Sequence, residues 1–160
     1  MEKQISTEFW LWGGVVVMAL LVAGVFVYKF SASEEDLPVI SADLSACDLQ
    51  QGSCLVSMDG LGSFTVTITP RPIPLVETLN FIVETDVPDL HQVEIDFSGV
   101  DMNMGYNRFK LKSRGNGRYT GEGMLPVCVR NRMTWEAKVM LYRTDAVYVA
   151  PFNFDTFTRR

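Results

Sequence analysis

The sequence predicts an all-β protein, an immunoglobulin-like antiparallel β-sandwich preceded by one N-terminal transmembrane helix. Three observations carry this expectation. Residues 9–28, FWLWGGVVVMALLVAGVFVY, run for about 20 residues without a charge. Beyond residue 60 the apolar residues recur with period two and not with a helical period. The alternating segments are separated by clusters of Gly, Pro, Asn and Asp, the residues of turns. A chain of 160 residues suffices for one such domain and an appendage, not for two large cores.

The uncharged run comes first. At a rise of ~1.5 Å per residue it makes about 30 Å of helix, the thickness of a bilayer's hydrocarbon core. It has no polar face, which a helix packed on a water-soluble core would show. Trp10, Trp12 and Tyr28 lie near its two ends, where amphipathic rings favour the headgroup boundary. Residues 1–8 are then a short N-terminal tail and residues 9–30 the transmembrane helix. The small residues of FSAS just after it resemble a cleavage site, but the run is long for a signal peptide and lacks a clearly basic lead-in, so a retained anchor is expected. Lys3 and Lys29 balance each other across the span, and only the acidic Glu34, Glu35 and Asp36 hint at translocation of the C-terminal side.

Residues 31–50 read as a linker, small, polar and acidic, with Pro38. Near its end Cys47 and Cys54, in CDLQQGSC, form a close pair. As a disulfide they would place the domain outside the cytosol, and closing so small a loop stabilises a fold by about 2.5 kcal/mol in the chain-entropy model. A zinc pair is the alternative, but one histidine and one further cysteine leave no four-ligand structural site in view. Their spacing is also wider than the C-x-x-C of thiol–disulfide enzymes.

Residues 51–160 hold the β-sandwich domain. SFTVTIT (63–69) sets Phe64, Val66 and Ile68 against threonines, the pattern of a half-buried strand. HQVEIDF (91–97) sets Val93, Ile95 and Phe97 against Gln92, Glu94 and Asp96. TWEAKVMLY (134–142) sets Trp135, Ala137, Val139 and Leu141 against Glu136, Lys138, Met140 and Tyr142, which makes Trp135 a core residue. Residues 78–85, 107–113, 118–125 and 147–157 are further strands, about seven in all. PRPIP, DVPD and RGNG supply turns between them, and Arg114-Gly115-Asn116-Gly117 is the strongest hairpin signal, because Gly and Asn tolerate positive φ. That many short strands in so small a domain give the immunoglobulin-like size.

Composition and motifs exclude several function classes. The net charge is −5, and setting aside Glu2, Lys3, Glu8 and Lys29 leaves it unchanged, so nucleic acid is not a partner. The basic residues Arg108, Lys110, Lys112, Arg114 and Arg118 gather around one hairpin; alternating with Phe109 and Leu111, they read as a solvated strand face rather than an anion or headgroup site. His91 is the only histidine, and no G-x-S-x-G, phosphate-cradling glycine loop or H-E-x-x-H accompanies it, so no enzyme is expected.

Sulfur is better represented. Met102 and Met104 sit in a polar turn after the 91–97 strand, on its outward parity unless a bulge at Gly99 reverses it. Met124, Cys128 and Met133 come later, in GMLPVCVRNRM. Two strands separate the two turns, so the chain returns to the same end of the sandwich between them. Converging thioethers and a thiolate suit Cu(I), giving a candidate metal site of Met102, Met104 and Cys128, completed by Met124 or Met133. The alternative is a structural or partner-contact patch, since methionine also fills cores and adaptable binding surfaces.

The layout of short tail, one membrane helix and small β domain, with MNMG (Met102 to Gly105) and GRYTGEGMLPVC ahead of a W-x-x-x-V strand (Trp135, Val139), resembles the FixH and YtkA-like group over about the last 100 residues. The resemblance implies a single-pass protein of the bacterial inner membrane with its C-terminal domain in the periplasm. It further implies copper handling or haem–copper oxidase assembly, with Cu(I) as cofactor and a respiratory oxidase as the partner membrane complex. The CDLQQGSC pair and the lone His91 depart from that group's pattern. A non-metal accessory subunit acting through protein–protein contacts is the competing expectation.

Overall fold

A computed structural model describes residues 7–31, 37–43, 46–102, 105–127 and 131–158. The chain divides into two units at Asp36/Leu37. The first contains the helix α1 (Thr7–Ser31, 25 residues). Its described side chains are apolar and exposed on every side, Trp10, Met18, Leu20 and Phe26 among them. Among the described residues no helix is long and apolar enough to cross a membrane.

The second unit is β structure. In chain order its strands are β1 (Val39–Ser41), β2 (Cys54–Met58), β3 (Gly62–Thr69), β4 (Leu79–Thr85), β5 (Gln92–Gly99), β6 (Arg108–Ser113), β7 (Arg118–Gly123), β8 (Arg132–Tyr142) and β9 (Val147–Phe157). They hydrogen-bond into one nine-stranded sheet of order β1-β9-β8-β5-β6-β7-β4-β3-β2. All pairings are antiparallel except β1 with β9. The alternation that predicts strands also decides their faces. Phe64, Val66 and Ile68 of β3, Val93, Ile95 and Phe97 of β5, and Trp135, Ala137, Val139 and Leu141 of β8 are all buried.

The sheet curls over this apolar face. Phe81 of β4 and Phe97 of β5 belong to strands that are not neighbours in the order, yet their ring centroids are 5.5 Å apart. Phe97 also meets Phe154 of β9 edge-on at 6.3 Å. The curl turns on β6, whose residues 108–111 pair with β5 while 112–113 pair with β7. Glycines admit the close packing there: a Cβ on Gly123 would come within 2.8 Å of the Phe109 ring.

Within residues 31–50, read in the sequence as a linker, some of the described residues belong to the β unit. β1 adds to the sheet edge beside β9, and Leu49 is fully buried. Neither shows a period, because β1 spans 3 residues and Leu49 sits alone in a turn. β2 is likewise absent from the expected strands; it pairs with β3 in a tight Asp59-Gly60 hairpin. Met140 and Glu94, on outward parity, are nonetheless buried, beneath polar side chains of β5, β6 and β8.

Candidate functional site

The loops after β3, β5 and β7 gather at one end of the curled sheet. Gly99 at the end of β5 lies opposite Trp135 near the start of β8, and the Val100 amide donates to the Thr134 carbonyl at 3.0 Å. The Val76 amide, in the β3–β4 loop, donates to the carbonyl of Leu125 in the β7–β8 loop at 2.8 Å. The Thr158 amide, just past β9, donates to the Asn131 carbonyl at 2.9 Å. Among the described residues, the end of β5, the start of β8 and the β3–β4 and β7–β8 loops thus lie at one end of the sheet.

The sulfur residues distribute unevenly over this end. Met102 is half-buried and packs against the core. Its expected outward parity fails because β5 stops at Gly99, and the residues after it no longer alternate. Met124 is 48% exposed. Met133 is buried at 4% exposure. It continues the inward parity of Trp135, Ala137 and Val139 on β8 and is part of the core. Met104 and Cys128 lie outside the described residues. Among the described residues no group of three or more His, Cys, Asp or Glu is placed to hold a metal. His91 stands at the other end of β5, where its Nε2 meets Thr144 Oγ1 at 2.9 Å.

Cys47 and Cys54 are disulfide-bonded, with Cα atoms 5.8 Å apart. The loop they close presents Gln50 to this same end. Gln50 Nε2 donates to the Asp155 carbonyl at 2.7 Å, and its Oε1 accepts from the Ile73 amide at 2.5 Å. One side chain thereby ties the disulfide loop, the β3–β4 loop and β9 together. A cleft of about 640 Å³ lies between them, walled by the PRPIP segment and by Val76, Val127 and Phe157.

The rim of that cleft carries exposed apolar side chains beside the charged Arg71 and Glu77. Val76, Val127 and Phe157 leave more than half of their surface to solvent. Val76 also has φ of +59°, a left-handed conformation that a β-branched residue rarely adopts. An ion pair stiffens the floor: Arg132 meets Asp155 at 2.7 Å, and Thr134 Oγ1 donates to the same carboxylate at 2.7 Å. These two hydrogen bonds, Arg132's first, hold the Asp155 carboxyl below its ordinary range. The hydrogen bond to Asp155 is likewise the first cause of Arg132's raised pKa, and the field of Asp101, from the β5–β6 loop, adds to it.

Sequence patterning does not find Val76, Val127 or Phe157, because single apolar residues in loops and at strand ends carry no period. Val76 follows the PRPIP segment closely in the sequence, which is the available signal for it, whereas the fold alone brings Val127 and Phe157 there. Patterning also misses a polar cluster on the outer face of β5, β6 and β8. There Arg108 pairs with Asp96 at 3.1 Å and with Glu94 at 3.8 Å, and Tyr142 donates to Glu94 at 3.0 Å. Burial first, then the hydrogen bond to Glu94, pushes the Tyr142 phenol up to about 12. Compared with protein-family models, curated proteins and solved structures, the chain finds no match.

Proposed function

We propose that the chain is a membrane-anchored accessory protein of the bacterial inner membrane, and that its periplasmic β domain docks onto a partner membrane complex through its loop end. One observation carries this reading: Val76, Val127 and Phe157 expose apolar surface around a cleft that the hydrogen bonds of Gln50 hold together. Exposed apolar surface around a cleft marks contact sites, and Met124, exposed in the β7–β8 loop, can adapt to a partner's shape. The disulfide supports an oxidising compartment. The uncharged run within α1 supports the anchor. We read the curled sheet as an immunoglobulin-like sandwich in which β6 joins the two halves. No catalytic role is part of the proposal. The resemblance to the FixH and YtkA-like group supports a respiratory oxidase as the partner.

The test is purification of the full-length protein from native membranes in mild detergent, with the haem spectrum and metal content of the eluate recorded. A large haem-containing complex should accompany the protein and be lost in a Val127→Asp, Phe157→Asp variant that still folds. A variant that retains the complex removes the loop end from the proposal.

Cu(I) handling is the second reading, favoured by the placement of Met102 and Met124 in the two loops that meet at this end and also contain Met104 and Cys128. Met133 has no part in it, being in the core. Competition with a Cu(I) chelator on reduced protein tests it. Unchanged affinity after Met102→Leu with Met104→Leu would sink the assignment.

A further inference from the structure

The basic residues around the β6–β7 hairpin read in the sequence as a solvated strand face. Their placement divides them into two groups. Arg108 is paired with Asp96 and Glu94, and Arg118 with Glu84 at 2.9 Å. The three cations between them have no carboxylate partner among the described residues. Lys110 Nζ donates to the amide oxygen of Gln92, and Arg114 Nε to Thr120 Oγ1 at 2.8 Å, both neutral acceptors. Lys112 makes no hydrogen bond or ion pair among the described residues.

The backbone explains why these three surround a hollow. β6 and β7 pair only through Lys112↔Thr120 and Ser113↔Tyr119 before β6 leaves to pair with β5. Inside the curl, Leu111 and Phe109 fill the parting against Gly121 and Gly123, which have no side chains to obstruct them. On the outer side the parting opens a cavity of about 530 Å³. Lys110, Lys112 and Arg114 line it with Asn80, Thr120 and Glu122. Three cations face one carboxylate there, on a chain whose net charge is −5. Asn80 and Thr120 can add neutral hydrogen bonds, and Arg114 keeps its two terminal amino groups for a forked contact.

We infer that this outer cavity, where β6 parts from β7, is an anion site for a phosphate-type oxyanion. It carries a local positive excess, neutral donors and a guanidinium fork, the combination that recognises tetrahedral oxyanions. A free phosphate ester and an anionic lipid headgroup share that chemistry. The inference rests on the β domain alone and stands or falls independently of the docking proposal.

Full-length protein in neutral detergent is titrated with inorganic phosphate and with pyrophosphate, tracking backbone amide NMR signals. Saturable shifts centred on Lys112, Arg114 and Thr120 are expected, with pyrophosphate binding tighter. A Lys112→Gln, Arg114→Gln variant should bind about tenfold more weakly. Lys138→Gln removes a cation that is already paired with Glu136, and should change affinity less than about twofold. Phosphatidylcholine vesicles with and without phosphatidic acid, offered to the same variants, identify the source. Saturation by the free anions alone assigns a soluble ligand, and loss of phosphatidic acid binding in the double variant assigns a headgroup; either upholds the site. The inference is overturned if neither the anions nor the acidic vesicles bind saturably, or if the double variant binds as the parent does.

Discussion

A Cβ on Gly117 would lie 1.8 Å from the carbonyl oxygen of Thr85, whose own amide donates to the Gly117 carbonyl at 3.0 Å. With φ of +68° the position is doubly reserved for glycine, by conformation and by space. Gly117→Ala should therefore cost about 3 kcal/mol or more, read as a lower urea midpoint with unchanged slope. Asp155 gives a pH test. Its folded-state pKa is lowered, so its contribution is present above the ordinary carboxylate range and is lost as pH falls through the lowered value. Asp155→Asn should destabilise the domain at neutral pH and flatten the acid limb of stability against pH, measured by urea unfolding across that range. The RGNG turn and its positive φ values are legible residue by residue, since Gly and Asn are the side chains that accept that conformation. The left-handed Val76 is not, because nothing in a valine announces it.

β8 and β5 show how far a strand's period can be trusted. Over its 11 residues β8 keeps one parity, and Met133 obeys it into the core. Met133→Ala should thus lower stability by about 2–5 kcal/mol while leaving any Cu(I) affinity unchanged, a split that chemical unfolding and chelator competition would show. β5 keeps its parity only to Gly99, so extrapolating it to Met102 fails. Glu94 shows another limit. Its outward parity is legible, but its burial depends on Arg108, Gln92 and Tyr142 from β6, β5 and β8, and strand pairing is invisible to a local pattern. The candidate site is therefore legible as a place, the loop end, and not as a set of ligands.

Across the domain, the Cys47–Cys54 bond closes a short loop whose Gln50 clamps two other segments. Reducing it, or replacing both cysteines with serine, should cost about 2.5 kcal/mol and loosen the cleft, seen as faster amide exchange at Ile73. All seven expected strands form: β3, β5 and β8 alternate long enough to declare a face, while β6 and β7, which do not alternate, are marked by the RGNG turn between them. β1 and β2 escape sequence patterning, since short strands depend on their partners. The β1 pairing has a consequence in time. β2, β3 and β4 can zip together by neighbouring hairpins while the ribosome is still working. β1 leaves the ribosome before any other strand, but its partner β9 leaves last. Non-local pairing of this kind closes slowly, and a waiting strand edge invites a wrong neighbour. β1 is therefore expected to join the sheet after the β2–β4 hairpins have formed.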